Sequence, residues 1–163
     1  MVYTNELLEQ LRSCEKKIIS PPGGFKEERG HRKQDFEMMS IDDEHHFIGF
    51  TRQNLNFTEN FSVGLLYNPK NERGKITLVR YNGPHGENIE IEHHEAFHIH
   101  YATAERINSG KKAEGHVETT DRYASFEDAI QVFVKTINLR EQDRKQYFPP
   151  PTGQAFLFDD KHS

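Results

Sequence analysis

The chain has 163 residues with a formal net charge of −5, and this argues against a broad basic surface of the kind that wraps DNA. Its single cysteine, Cys14, rules out an internal disulfide or a Cys-based zinc site and fits a reducing, cytoplasmic setting. The hydrophobic share is only 34 %, but twelve Phe and six Tyr can still build a modest core, and no apolar run approaches the ~20 residues needed to cross a bilayer. The first residues, Met1 to Glu6, hold neither a basic stretch nor an apolar signal region, so export is not expected.

The first expected element is a helix capped by Thr4, in which Glu6, Leu7, Leu8, Leu11, Cys14 and Ile18 recur at helical spacing. Ser20-Pro21-Pro22-Gly23-Gly24 ends it. Phe25 to Gln34 is charged and aperiodic, and reads as a mobile loop. Short strands are expected over Phe36–Ile41 and His45–Arg52, divided by Asp42-Asp43. Phe61–Tyr67 and Lys75–Tyr81 form a clearer hairpin, joined by the turn-rich Asn68–Gly74.

Asn82-Gly83-Pro84-His85-Gly86 cannot be regular structure. Phe97–Tyr101 alternates aromatic or aliphatic residues with histidine, as a strand with one apolar and one histidine face does. Glu114–Thr120 reads as another strand. Ser125 caps a last helix with Glu127 and Asp128 in its first turn and Phe126, Ala129, Ile130, Phe133, Val134 and Ile137 on its apolar face. The order helix, strands, helix predicts an α+β fold: an antiparallel sheet with an N-terminal and a C-terminal helix packed on it. The domain is expected over residues 1–139. A flexible tail, 140–163, follows, with a polar run and the extended spacer Pro149-Pro150-Pro151.

Five of the ten histidines fall between His85 and His100. On a strand, His98 and His100 share a face about 7 Å apart. They can serve as acid and base in RNA cleavage, with Arg80 on a phosphate and Lys111 or Lys112 assisting. With His93, His94, Glu92 or Glu95 they can instead bind a divalent transition metal such as zinc. A third reading is a polar face exposed to solvent or satisfied by local hydrogen bonds. No helical His-Glu-x-x-His, phosphate-binding loop or nucleophile elbow is present, and Cys14 reads as core.

The run Arg80-Tyr81-Asn82-Gly83-Pro84-His85-Gly86, then His98-Ile99-His100 and a closing amphipathic helix, resembles a group of small prokaryotic proteins. Its arrangement is similar to that of the TumE-type toxins of toxin–antitoxin pairs, in which a Tyr-Asp-Asn-like turn precedes a His-rich strand. The Asp of that turn is missing here, and the spacing to the His pair is longer. The resemblance spans Phe61 to Leu139 and implies a toxin role and a cognate antitoxin.

In the tail, Gln154-Ala155-Phe156-Leu157-Phe158 resembles the peptide with which bacterial proteins dock on the DNA polymerase sliding clamp. That resemblance implies a Gln154 amide at the rim of a pocket and Leu157 and Phe158 in an apolar cleft, with Phe156 beside them. Burying the latter pair is worth about 1.5–3 kcal/mol each before ordering costs. The sequence thus favours a toxin-like binding inhibitor that blocks replication through the clamp. A small endoribonuclease and a His-cluster metal domain are the alternatives.

Overall fold

The computed structural model describes residues 2–84 and 96–151. The Thr4 hydroxyl accepts a hydrogen bond from the Leu7 amide (3.1 Å) and starts helix α1, Asn5–Ser13, which buries Leu8 and Leu11. The helix is shorter than its apolar spacing predicts. Cys14 is already extended, and β1, Lys16–Ser20, takes Ile18 out of the helix. Two forces win there: Ile18 and Ile19 are β-branched, and the Lys16 backbone is bound on both sides. It pairs with Ser40 in β3 (His31–Ser40), while its amide donates to the Asn138 carbonyl (3.0 Å).

The stretch 25–34 is not a loop. β2, Lys26–Glu28, forms a tight hairpin with β3 through Arg29 and Gly30, both at positive φ. The hairpin pairs charged residues, as in the Lys33–Glu28 ion pair (2.5 Å), which is why hydrophobic periodicity misses it. The remaining strands fall where expected: β4 (His46–Asn54), β5 (Phe61–Asn68), β6 (Ile76–Asn82), β7 (His98–Ala102) and β8 (Glu114–Thr119). The eight form one sheet in the order β1-β3-β4-β5-β6-β7-β8, with β2 also on β3, and every strand pair is antiparallel.

The helices are α1, α2 (Ala104–Asn108), α3 (Phe126–Thr136) and α4 (Glu141–Tyr147). One face of the sheet carries Met38, Phe47, Val63, Leu65, Tyr81 and Ile99, packed with Leu8 and Leu11 of α1 and Ala129 and Phe133 of α3, all buried. Each such aliphatic or aromatic side chain contributes about 1.5–3 kcal/mol relative to exposure. The fold is therefore α+β, as the pattern of elements predicts.

The polar run after Leu139, assigned from sequence to the tail, is helical and packed. Asp143 explains it: this buried carboxylate accepts the Ile18 amide (2.8 Å) and the Arg140 guanidinium (2.7 Å), tying α4 to β1. Phe148 then closes over Phe36, ring centroids 5.0 Å apart. Among the described residues no helix is long and apolar enough to cross a membrane.

Candidate active site

Strand alternation separates the two faces of the sheet. The core face takes Tyr81 and Ile99. The opposite face takes Arg80 and Asn82 from β6 and His98 and His100 from β7, with Asn82 opposite His98 and Arg80 opposite His100. On the next strands, Ser62 pairs Asn82, Gly64 pairs Arg80, and Val117 pairs His100. The motif beginning at Arg80 is thus split by the pleat: Arg80 and Asn82 reach the histidine face while Tyr81 anchors the core.

The imidazoles of His98 and His100 meet edge to face, with centroids 5.0 Å apart and planes at 71°. His98 Nδ1 lies 2.7 Å from the Ala96 carbonyl oxygen, which can only accept, so Nδ1 carries the proton in this contact. His100 Nδ1 lies 3.4 Å from Glu114 Oε2. The same oxygen accepts from Arg80 through Nη2 (2.7 Å) and Nε (3.1 Å), and Lys112 Nζ stands 3.9 Å from Oε1. The result is a carboxylate flanked by a guanidinium and an imidazole, its side chain only 7 % exposed.

The backbone beneath these side chains is pinned. The Tyr123 hydroxyl sits 2.9 Å from both the Asn82 and the His98 carbonyl oxygens, so one O–H is shared between β6 and β7. Burial pushes the Tyr123 phenol up, keeping it a neutral donor. Its ring stacks on Tyr81 at 5.5 Å. Asn82 is held in turn by an amide donation to the Ser62 hydroxyl (3.0 Å). At Gly83 a Cβ would collide with the Glu59 carbonyl oxygen, so only glycine lets the chain leave β6 there.

The reading of a solvent-facing histidine strand is corrected: His98 is fully buried and His100 is 9 % exposed. Arg80 is not a bare cation awaiting phosphate either, because Glu114 takes two of its donors. Its side chain remains 26 % exposed. Arg80 and Glu114 stand at one end of a groove of about 780 Å³ that runs along this face past Leu66, Phe50 and Arg52 to Asp35. At Gly64 a side chain would overlap the Phe50 ring, so this glycine leaves the ring its place.

Glu114 is the residue sequence reasoning missed. Its only signal was its position at the start of the strand that follows the histidine strand. Lys112 is near the cluster, whereas Lys111 is an exposed residue of the turn before β8. Cys14 is half-buried against the core, as expected. His85, Glu92, His93, His94 and Glu95, and the tail residues Gln154, Phe156, Leu157 and Phe158, lie outside the described residues. Among the described residues, no group of three or more His, Cys, Asp or Glu side chains is placed to hold a metal ion.

Fold and site together define an α+β protein with a histidine–carboxylate–arginine cluster on the face of its sheet opposite α1 and α3. No protein-family model, curated protein or solved structure matches the chain.

Proposed function

We propose that the chain is a small endoribonuclease of the toxin kind, with His98 and His100 as its acid–base pair. The observation that supports this reading is the cluster of His98, His100, Glu114 and Arg80 on one face of the sheet, of which Arg80 and Glu114 line the groove. In this reading substrate binding must expose the buried His98, whose Nε2 then accepts the proton of a ribose 2′-hydroxyl as that oxygen attacks the adjacent phosphorus. The bond from phosphorus to the 5′-oxygen breaks, and the His100 imidazolium gives that oxygen its proton. The products are a 2′,3′-cyclic phosphate and a free 5′-hydroxyl. Glu114 fixes the His100 ring and offsets the imidazolium charge, the part a carboxylate plays beside a catalytic histidine. Arg80, the exposed member, steadies the phosphate through the donors Glu114 leaves it.

The test is RNA breakdown by the purified chain. Cleavage should vanish in His98→Ala and survive deletion of residues 149–163. Intact RNA at high protein concentration counts against the reading.

A second reading follows from the segment that continues beyond Phe148. Phe148 is buried and its carbonyl accepts from Gln131 (3.0 Å), after which Pro149, Pro150 and Pro151 are exposed. Gln154 to Phe158 therefore follow an exposed proline spacer, an arrangement that suits a docking peptide for a sliding clamp. A labelled peptide of residues 149–163 should bind such a clamp at micromolar concentration, about −8 kcal/mol. Replacing Gln154, Leu157 and Phe158 by alanine should abolish the binding. Failure of the native peptide to bind removes this reading and leaves the first untouched.

A further inference from the structure

β8 is the last strand of the sheet, and among the described residues its outer edge pairs with no strand. The side chains there are open to solvent, His116 at 60 % and Glu118 at 48 %. Register fixes which backbone groups face outward. The Thr120 amide donates to the Phe97 carbonyl (2.9 Å), continuing the pairing of His98 with Thr119. Alternate residues of an antiparallel pair exchange hydrogen bonds. Glu118 and His116 therefore aim their amides and carbonyls at β7, while Val117 and Thr119 aim theirs away from the sheet.

We propose that this edge pairs with the same edge of a second copy of the chain, antiparallel about a two-fold axis at Val117. Hydrogen-bond parity and charge select the same register. A strand pairing with its own copy about an exchanging pair must centre on a residue whose backbone groups face outward. With Val117 at the centre, its amide and carbonyl exchange two hydrogen bonds with their counterparts. His116 then stands opposite Glu118 of the second copy, twice by symmetry, in positions where facing side chains approach most closely.

The neighbouring registers are poorer. Centring on Thr119 sets His116 against Arg122, two basic groups. Centring on Gly115 is obstructed, because Thr103 and Arg106 lie against that glycine at the β7–β8 bulge and Glu114 is already held by Arg80.

The pairing residues are also held in place beforehand. His116 stacks on Tyr101 (5.9 Å), and Glu118 accepts from the Tyr101 hydroxyl (3.1 Å) while lying 3.5 Å from His116 of its own strand. Side chains already ordered lose less freedom on association. Edge pairing alone is a small interface, so self-association is concentration-dependent. The axis stands perpendicular to the sheet, so the histidine faces of both copies share one continuous surface.

Sedimentation velocity of the full chain, from low to several hundred micromolar, tests this independently of the RNA-cleavage reading. The expected result is a mass rising from 19.1 kDa toward twice that value. His116→Glu, which sets a carboxylate against Glu118 of the second copy on each side of the axis, should be monomeric throughout. His116→Glu with Glu118→Lys restores opposite charges and should dimerise again; both positions are exposed, so folding is not at stake. A wild type that stays at 19.1 kDa, a dimer indifferent to His116→Glu, or a charge swap that remains monomeric overturns the proposal.

Discussion

Arg80 directs two donors, Nη2 at 2.7 Å and Nε at 3.1 Å, to a single oxygen of Glu114, and that oxygen is also the one nearest His100. The arrangement makes Glu114 the electrostatic hinge of the cluster. Breaking a shielded pair of this kind costs more than the pair itself contributes, because the surviving charge keeps its desolvation and loses its partner.

Glu114→Gln, which keeps shape and removes charge, should therefore lower stability by about 1–3 kcal/mol. Adding Arg80→Gln should cost less than the sum of the two single changes, since each residue exists largely for the other. Chemical denaturation of the four proteins in the cycle measures this; strict additivity would separate the two residues energetically.

Tyr123→Phe removes one hydroxyl shared between two buried carbonyls and keeps the ring stack on Tyr81. The loss should be about 1–3 kcal/mol, read as a lower urea midpoint at unchanged slope. A shift within error would mean that β6 and β7 hold their alignment by the strand ladder alone.

Gly83→Ala drives a methyl group into the Glu59 carbonyl and the Phe61 ring, whereas Gly23 has nothing within 4 Å of its Cβ direction. The first substitution should destabilise by about 1–3 kcal/mol. Gly23→Ala should be neutral or slightly stabilising. Thermal midpoints of the two variants decide the matter, and equal behaviour would contradict the crowding at Gly83.

Lys16 titrates unusually. Its ammonium is fully buried, donates to the carbonyls of Arg12, Cys14 and Ile137 at 2.8–2.9 Å, and sits 4.7 Å from the Phe47 ring centre. Burial nevertheless pushes its pKa down to about 8 from 10.5. Between those values the unfolded chain binds more protons than the folded one, so this group makes stability rise with pH across that window. Tyr3, pushed up to about 12, acts in the opposite direction above pH 10, which leaves pH 8 to 9.5 as the clean interval. Urea midpoints across it should climb for the wild type relative to Lys16→Met. Parallel curves would show that the three carbonyls cancel the burial.

The fold was legible wherever one face of an element is apolar. Ser125 and the spacing of Phe126, Ala129, Phe133 and Val134 define α3, and the alternation in Phe61–Tyr67 defines β5. The β2–β3 hairpin was hidden because its cross-strand partners are charged, and α4 because its one buried side chain is the carboxylate of Asp143. At the site, the common face of His98 and His100 was readable from period two alone. Their burial and the role of Glu114 were not, because both depend on which strand lies beside β7, a long-range pairing that no local pattern encodes.

The central claim is best tested by incubating the pure chain with a labelled single-stranded RNA in excess EDTA and analysing the ends of any fragments. Cleavage should persist with the chelator, leave 2′,3′-cyclic phosphate ends, and be lost in both His98→Ala and His100→Ala. RNA that stays intact at high protein concentration, or cleavage unchanged in either histidine variant, would contradict it and leave the buried histidines a structural role.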